Sequence, residues 1–144
     1  MSNDTSTEFN EREIEVFSGD ERQPAMLRWS AEPRATRDYW VELSGPNGPI
    51  EVIERDLFGA LIAIRNALAL DGWRIAVQGS RRDSWASGMI RDTIGAERVY
   101  ILEFGRPMRR QDLVPIFAPA DPVDIGTPEE QRANYFAWRA ATET

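Results

Sequence analysis

From Asp56 to Gly72 the chain reads "DLFGALIAIRNALALDG". Leu57, Leu61, Ile64 and Leu68 recur at helical spacing, and Phe58 and Ile62 widen the stripe. Arg65 and Asn66 lie off it. An apolar stripe of that width has to be covered by another layer. Asp56 can accept an N–H bond at the start, and Gly72 can close the end in a left-handed conformation. The spacing therefore predicts one long helix over Leu57–Leu70.

The segments before it alternate with a period of two instead. "EIEVF", "AMLRWSA", "DYWVELS" and "IEVIE" each read as a half-buried strand. Tyr39, Val41 and Leu43 fall on one face of the third, Trp40 and Glu42 on the other. "SGPNGP" is turn chemistry. Short strands with tight connections predict an antiparallel meander.

After the helix, "WRIAVQ" alternates as a strand, and "RVYILEF" is apolar enough for a central strand covered on both sides. "APADPVDIG" reads as an extended surface strap. In "TPEEQ", Thr127 and Glu130 form a capping box with Pro128 at the first helical position. Tyr135, Phe136 and Trp138 give that last helix a face to dock. The expected class is α+β: a mainly antiparallel sheet, one long helix on a face and short C-terminal helices. Residues 1–9 are expected to be disordered and 10–144 to form a single domain.

Composition narrows the chemistry. The chain has 144 residues with no cysteine, histidine or lysine, so all 17 basic residues are arginine. Without histidine or lysine there is no Ser-His pair, imidazole metal ligand, Schiff base or P-loop lysine. Without cysteine there is no disulfide, as in a reducing compartment. Carboxylates, tyrosine and arginine remain, so catalysis is disfavoured and no metal or cofactor is expected. A carboxylate-dependent hydrolase stays possible in principle if two acids share a cleft. The polar, acidic N-terminus shows no signal pattern, and no apolar run is long enough to span a membrane. A cytoplasmic location is expected.

The net charge of −7 is uneven. Residues 1–58 carry −7, residues 59–111 carry +4 and residues 112–144 carry −4. An acidic chain repels phosphate backbones, so nucleic acid is not an expected ligand. The acidic ends read either as solvation or as a face for a basic protein.

"GSRRDSWASGM", Gly79 to Met89, concentrates glycine, serine, arginine and tryptophan between two strands. One reading is structural. The glycines turn the chain, Asp83 caps or pairs an arginine, and Trp85 and Met89 plug the end of the core. Asp83 or Ser84 would cap a short helix carrying Trp85, Met89 and Ile90. The other reading is an interface, since arginine and tryptophan are common anchors. Catalysis by Ser80, Ser84 or Ser87 lacks a base.

Several of these elements together resemble small bacterial proteins of polymorphic-toxin systems, including immunity proteins of contact-dependent growth inhibition. The resemblance rests on Gly72-Trp73, Gly79-Ser80-Arg81-Arg82-Asp83, Ser87-Gly88-Met89 and Val99-Tyr100-Ile101-Leu102, within a span from about Asp56 to Tyr135. After Ser87-Gly88-Met89 the relatives are richer in glycine; here "IRDTIGAER" carries Gly95 alone. The resemblance implies a cytoplasmic inhibitor whose partner is a cognate toxin domain, in some cases a nuclease. On that reading two partner-binding surfaces are candidates. One holds Asp38, Trp40, Glu42, Glu51 and Glu54; the other holds Arg81, Arg82, Asp83 and Trp85. A non-toxin adaptor or regulatory scaffold would share the same features.

Overall fold

The computed structural model describes residues 8–142. Four strands open the chain: β1 (Phe9–Ser18), β2 (Glu21–Ser30), β3 (Tyr39–Gly45) and β4 (Gly48–Glu54). They form the expected meander, each antiparallel to the next. Alternation decides which side faces in. Ile14, Val16, Ala25, Leu27, Tyr39, Val41 and Leu43 are buried, and their neighbours in sequence point the other way.

Helix α1 (Leu57–Ala69) follows β4 and lies on the apolar side, against β3, β4 and a short strand β5 (Arg74–Ile75). The sheet order is β4-β3-β2-β1-β5, so α1 touches strands at both edges and the sheet curls around it. The Asp56 carboxylate accepts from Gly59 N at 2.7 Å, as a cap should. At the other end Gly72 has φ +80°. Gly72 N donates to Ala69 O and Trp73 N to Leu68 O, both at 3.0 Å, which is the Schellman pattern.

A second sheet of three strands, β6 (Ser84–Trp85), β7 (Arg98–Ile101) and β8 (Leu113–Pro115), runs in the order β6-β7-β8. Helix α2 (Gly88–Thr93) joins β6 to β7, and α3 (Pro128–Thr142) ends the described chain. One hydrophobic cluster runs from Val16 and Leu27 through Phe58 and Leu61 to Val99 and Phe117. Among the described residues, no helix is long and apolar enough to cross a membrane.

Several expectations need correcting. The sheet is two sheets, and the C-terminal helix, at 15 residues, is longer than α1 at 13. Phe9 opens β1 opposite Ser30, and residues 1–7 of the expected disordered terminus lie outside the described residues. "WRIAVQ" pairs with β1 only at Arg74–Ile75; from Val77 the chain turns inward. There Gly79 N donates to Ile116 O, and a Cβ on Gly79 would collide with Ile116 and Leu61. "RVYILEF" gives a four-residue strand and then turns out at Glu103, leaving Phe104 exposed. On α3, Trp138 is buried with its Nε1 donating to Glu103 O and Arg106 O, whereas Phe136 is exposed.

The largest correction concerns Arg65. It lies off the apolar stripe, yet it is 5% exposed. Its Nη1 donates to Gln131 Oε1 at 2.6 Å and its Nη2 to Gly126 O at 2.8 Å. Burial pushes its pKa down to about 10, so it stays charged at neutral pH. Gln131, 1% exposed, donates from Nε2 to Gly79 O, Arg81 O and Ser84 Oγ at 2.8–2.9 Å. One arginine and one glutamine thus join α1, α3, the end of the strap and the turn before β6.

Two substitutions check this frame. Gly72→Ala is expected to lower stability by about 1 kcal/mol, because a Cβ at positive φ is strained while the space around it is open. Gln131→Ala is expected to lower it by about 3 kcal/mol, since it leaves Nη1 of the buried Arg65 and the Gly79 carbonyl without partners. Urea midpoints at constant m-value measure both. A loss at Gln131 no larger than that at Gly72 would show that the buried pair is dispensable.

Candidate functional site

Strand alternation sets Phe9, Glu11, Glu13 and Glu15 of β1 on the outer side of the first sheet. Beside them lie Met26 and Arg28 of β2, Trp40 and Glu42 of β3, and Glu51 and Ile53 of β4. This side faces away from α1, and Phe9, Glu11, Glu13, Arg28, Glu51 and Ile53 on it are exposed. Trp40 is the half-buried centre. Phe9 meets it edge-on with ring centroids 6.2 Å apart, and Ile53 stands directly across the strand pair. The Trp40 backbone is pinned by Ser30, whose Oγ accepts from Trp40 N at 2.8 Å.

Charge surrounds this apolar group. Trp40 Nε1 donates to Glu51 Oε2 at 2.5 Å. Arg28 Nε lies 2.6 Å from Glu11, Arg28 Nη1 lies 3.8 Å from Glu42, and the same guanidinium sits 6.0 Å above the Phe9 ring. Glu42 and Glu51 are direct partners across β3 and β4. Two carboxylates in that register repel, and one arginine that also serves Glu11 offsets them only in part. The surface is therefore acidic and aromatic, with its negative charge only partly offset by Arg28 and by Arg22, which lies 4.0 Å from Glu15.

Of the first candidate set, the fold brings Trp40, Glu42 and Glu51 together. Asp38 and Glu54 lie at the strand ends. Asp38 accepts from Thr36 Oγ1 at 2.8 Å and Arg34 Nε at 2.7 Å, closing the turn into β3. The Thr36 hydroxyl, with Arg34 beside it, holds the Asp38 carboxyl below the usual range despite partial desolvation. Glu54 pairs across the strands with Tyr39 and is exposed. Phe9 and Ile53 were not among the candidates. The alternation Phe9-Glu11-Glu13-Glu15 extends "EIEVF" backward and was a visible signal. Ile53 needed the β3–β4 register.

The second set is engaged within the chain. Arg81 forks onto Asp83, with Nε–Oδ1 at 2.8 Å and Nη2–Oδ2 at 2.9 Å, so one charge holds the other. The Asp83 hydrogen bond raises the Arg81 pKa further. Arg82 Nη2 donates to the carbonyls of Val123 and Ile125. Trp85 stacks on Tyr135 at 4.4 Å and 7°, and meets Phe58 edge-on at 5.3 Å. It lies on β6 and not on a helix, because Ser84 is held extended by Gln131. Ser87 caps α2, taking the role expected of Asp83 or Ser84, and Met89 is exposed and plugs nothing. "GSRRDSWASGM" is a turn gripped by the strap and by α3.

Glu13 and Glu15 line one open cleft, beside Arg22, Pro24 and Pro119, and Asp56 and Asp92 line another. Among the described residues no three acids converge as metal ligands do.

The two surfaces are expected to respond differently to substitution. Trp85→Ala removes a stack and an edge contact, and is expected to cost about 3 kcal/mol. Glu51→Gln keeps an acceptor for Trp40 but relieves Glu42, and is expected to gain about 0.5 kcal/mol at low salt. Denaturation midpoints with and without added salt report this, and the gain should fade as salt screens the pair. A loss at Glu51 would mean that the charge serves the fold.

No protein-family model matches the chain, and no curated protein is significantly similar to it in sequence.

Proposed function

We propose that this chain is an immunity protein that binds a cognate toxin domain through the outer side of its first sheet. The observation that carries the reading is the exposed Phe9–Trp40–Ile53 group set beside the opposed carboxylates Glu42 and Glu51. An aromatic centre with a charged rim is the usual anatomy of a specific protein interface. A toxin that cleaves nucleic acid presents a basic surface to its substrate, and this acidic side is complementary to it. Seated there, the sheet blocks the substrate path without any chemistry of its own. The resemblance of Gly79-Ser80-Arg81-Arg82-Asp83 and Ser87-Gly88-Met89 to segments of toxin-system immunity proteins points to the same class.

Opposite fields speed encounter, and salt weakens them over about 8 Å at physiological strength. Buried anchors govern how long the complex lasts. The test uses the protein encoded by the neighbouring gene, captured with this chain and then immobilised for kinetics at several salt concentrations. Association is expected to slow as salt rises. Reversing Glu42 and Glu51 to arginine is expected to slow it about tenfold at low salt. Trp40→Ala is expected to speed dissociation about thirtyfold, corresponding to about 2 kcal/mol. A salt-independent association rate, or normal kinetics in both variants, would remove this surface from the proposal.

A further inference from the structure

The start of α1 carries more positive charge than the fold uses. An open cleft of about 530 Å³ lies there, lined by Arg37, Arg55, Asp56, Gly88, Arg91 and Asp92. Its three arginines come from separate segments: the turn before β3, the residue ahead of the helix cap, and α2. Arg91 is fixed in place. Its Nε donates to Asp56 Oδ2 at 2.9 Å, and its guanidinium sits 5.6 Å from the centre of the Phe58 ring. Asp56 is itself buried, and its second oxygen caps Gly59 N. Both carboxylate oxygens are thus occupied.

Arg37 and Arg55 are exposed, and among the described residues neither has an ion pair or hydrogen bond from its guanidinium. Asp92, on the same rim, pairs with neither. Arg37 also has φ +65°, a conformation that disfavours a residue with a Cβ. The turn that imposes it is latched: Arg37 N donates to Arg34 O, Arg34 N to Asp38 O, and the Arg34 and Thr36 side chains both donate to the Asp38 carboxylate. Strained residues held by their surroundings cluster at ligand clamps and switch regions. The helix end adds positive potential of its own, so the arginines repel it as well as one another.

We propose that this cleft binds a phosphomonoester dianion, with Arg37 and Arg55 as its charge-neutralising contacts and Arg91 as the fixed wall. Two unpaired guanidiniums against the one free carboxylate of Asp92 leave the cleft net positive, and the planar fork of arginine fits phosphate oxygens bidentately. The volume falls in the range of about 300–1,000 Å³ that small-ligand sites occupy, larger than a bare phosphate needs. The site is independent of the toxin-binding reading and uses none of that surface's side chains.

The test titrates the intact protein with sodium phosphate and with adenosine monophosphate at constant ionic strength, followed by amide correlation spectra and calorimetry. Shifts are expected at residues 37, 55, 56, 88 and 91, with none in a matched chloride titration. Arg37→Ala with Arg55→Ala is expected to weaken binding about a hundredfold, and Arg55→Gln alone about tenfold, one charge-assisted contact each. Arg55→Gln leaves the latched turn untouched, so the test does not depend on the double variant. Tighter binding of the nucleotide assigns the rest of the cleft to the ester group; equal binding assigns it to phosphate alone. Absence of shifts at these residues, or wild-type affinity in both variants, overturns the proposal.

Discussion

The buried contact between Arg65 and Gln131 is the joint on which the other parts of the structure depend. A guanidinium out of water is costly unless its donors are met, and here Gln131 and the Gly126 carbonyl meet them. Gln131 in turn is oriented by Arg65, because accepting on Oε1 turns Nε2 toward Gly79, Arg81 and Ser84. Those contacts need α3 to lie where it does, and they hold the turn that starts β6. The second sheet is small, with a two-residue strand at one edge, and such a sheet does not stand alone. It is carried by the polar joint and by the Phe58–Trp85–Tyr135 stack beside it.

That arrangement separates the molecule into a side where arginines are met by groups of the same chain and a side where carboxylates outnumber the cations beside them. In the turn from Gly79 to Trp85, arginines end on carboxylates or carbonyls of the same chain. On the outer side of the first sheet, Glu42 faces Glu51 and an exposed phenylalanine and isoleucine flank a tryptophan. Folding alone gives no reason to keep like charges in register or apolar side chains in water. The first turn of α1 shows the opposite sign of the same condition, with three guanidiniums beside the occupied carboxylate of Asp56 and the unpaired one of Asp92.

Local signals were legible in the sequence. The helix stripe, its Asp56 cap and its Gly72 close depend on residues within a few positions of one another, and the chain obeys them. The meander follows from alternation, and alternation also put Trp40 and Glu42 on one side before any register was known. Burial of Arg65 was not legible, because the groups that pay for it lie 61 and 66 positions away. The same reason hid the fate of "WRIAVQ": its alternation is real, but the close approach of Ile116 to Gly79 draws the chain off the sheet. Composition left "GSRRDSWASGM" open between a turn that closes the core and an interface. The groups that grip it, on the strap and on α3, are distant in sequence.

The choice of arginine over lysine follows from the same geometry. Three arginines, Arg65, Arg74 and Arg82, donate to main-chain carbonyls between Val123 and Gly126. The proline-rich strap pairs with the rest of the chain only through isolated bridges, so its carbonyls take partners from side chains. A guanidinium offers five donors in a fixed plane and can bridge two elements at once, which an ammonium on a flexible stem does less well. Most arginines of the positive middle of the sequence are engaged within the chain, by neutral carbonyls that do not cancel their charge or by Asp56, Asp83 and Asp112, which do. Neither use places those arginines beside the glutamates of β1, β3 and β4. The acidity of the outer side is thus reinforced by how the core is held together: most cations of the middle segment are engaged by the strap, the turns and Asp56, away from that sheet.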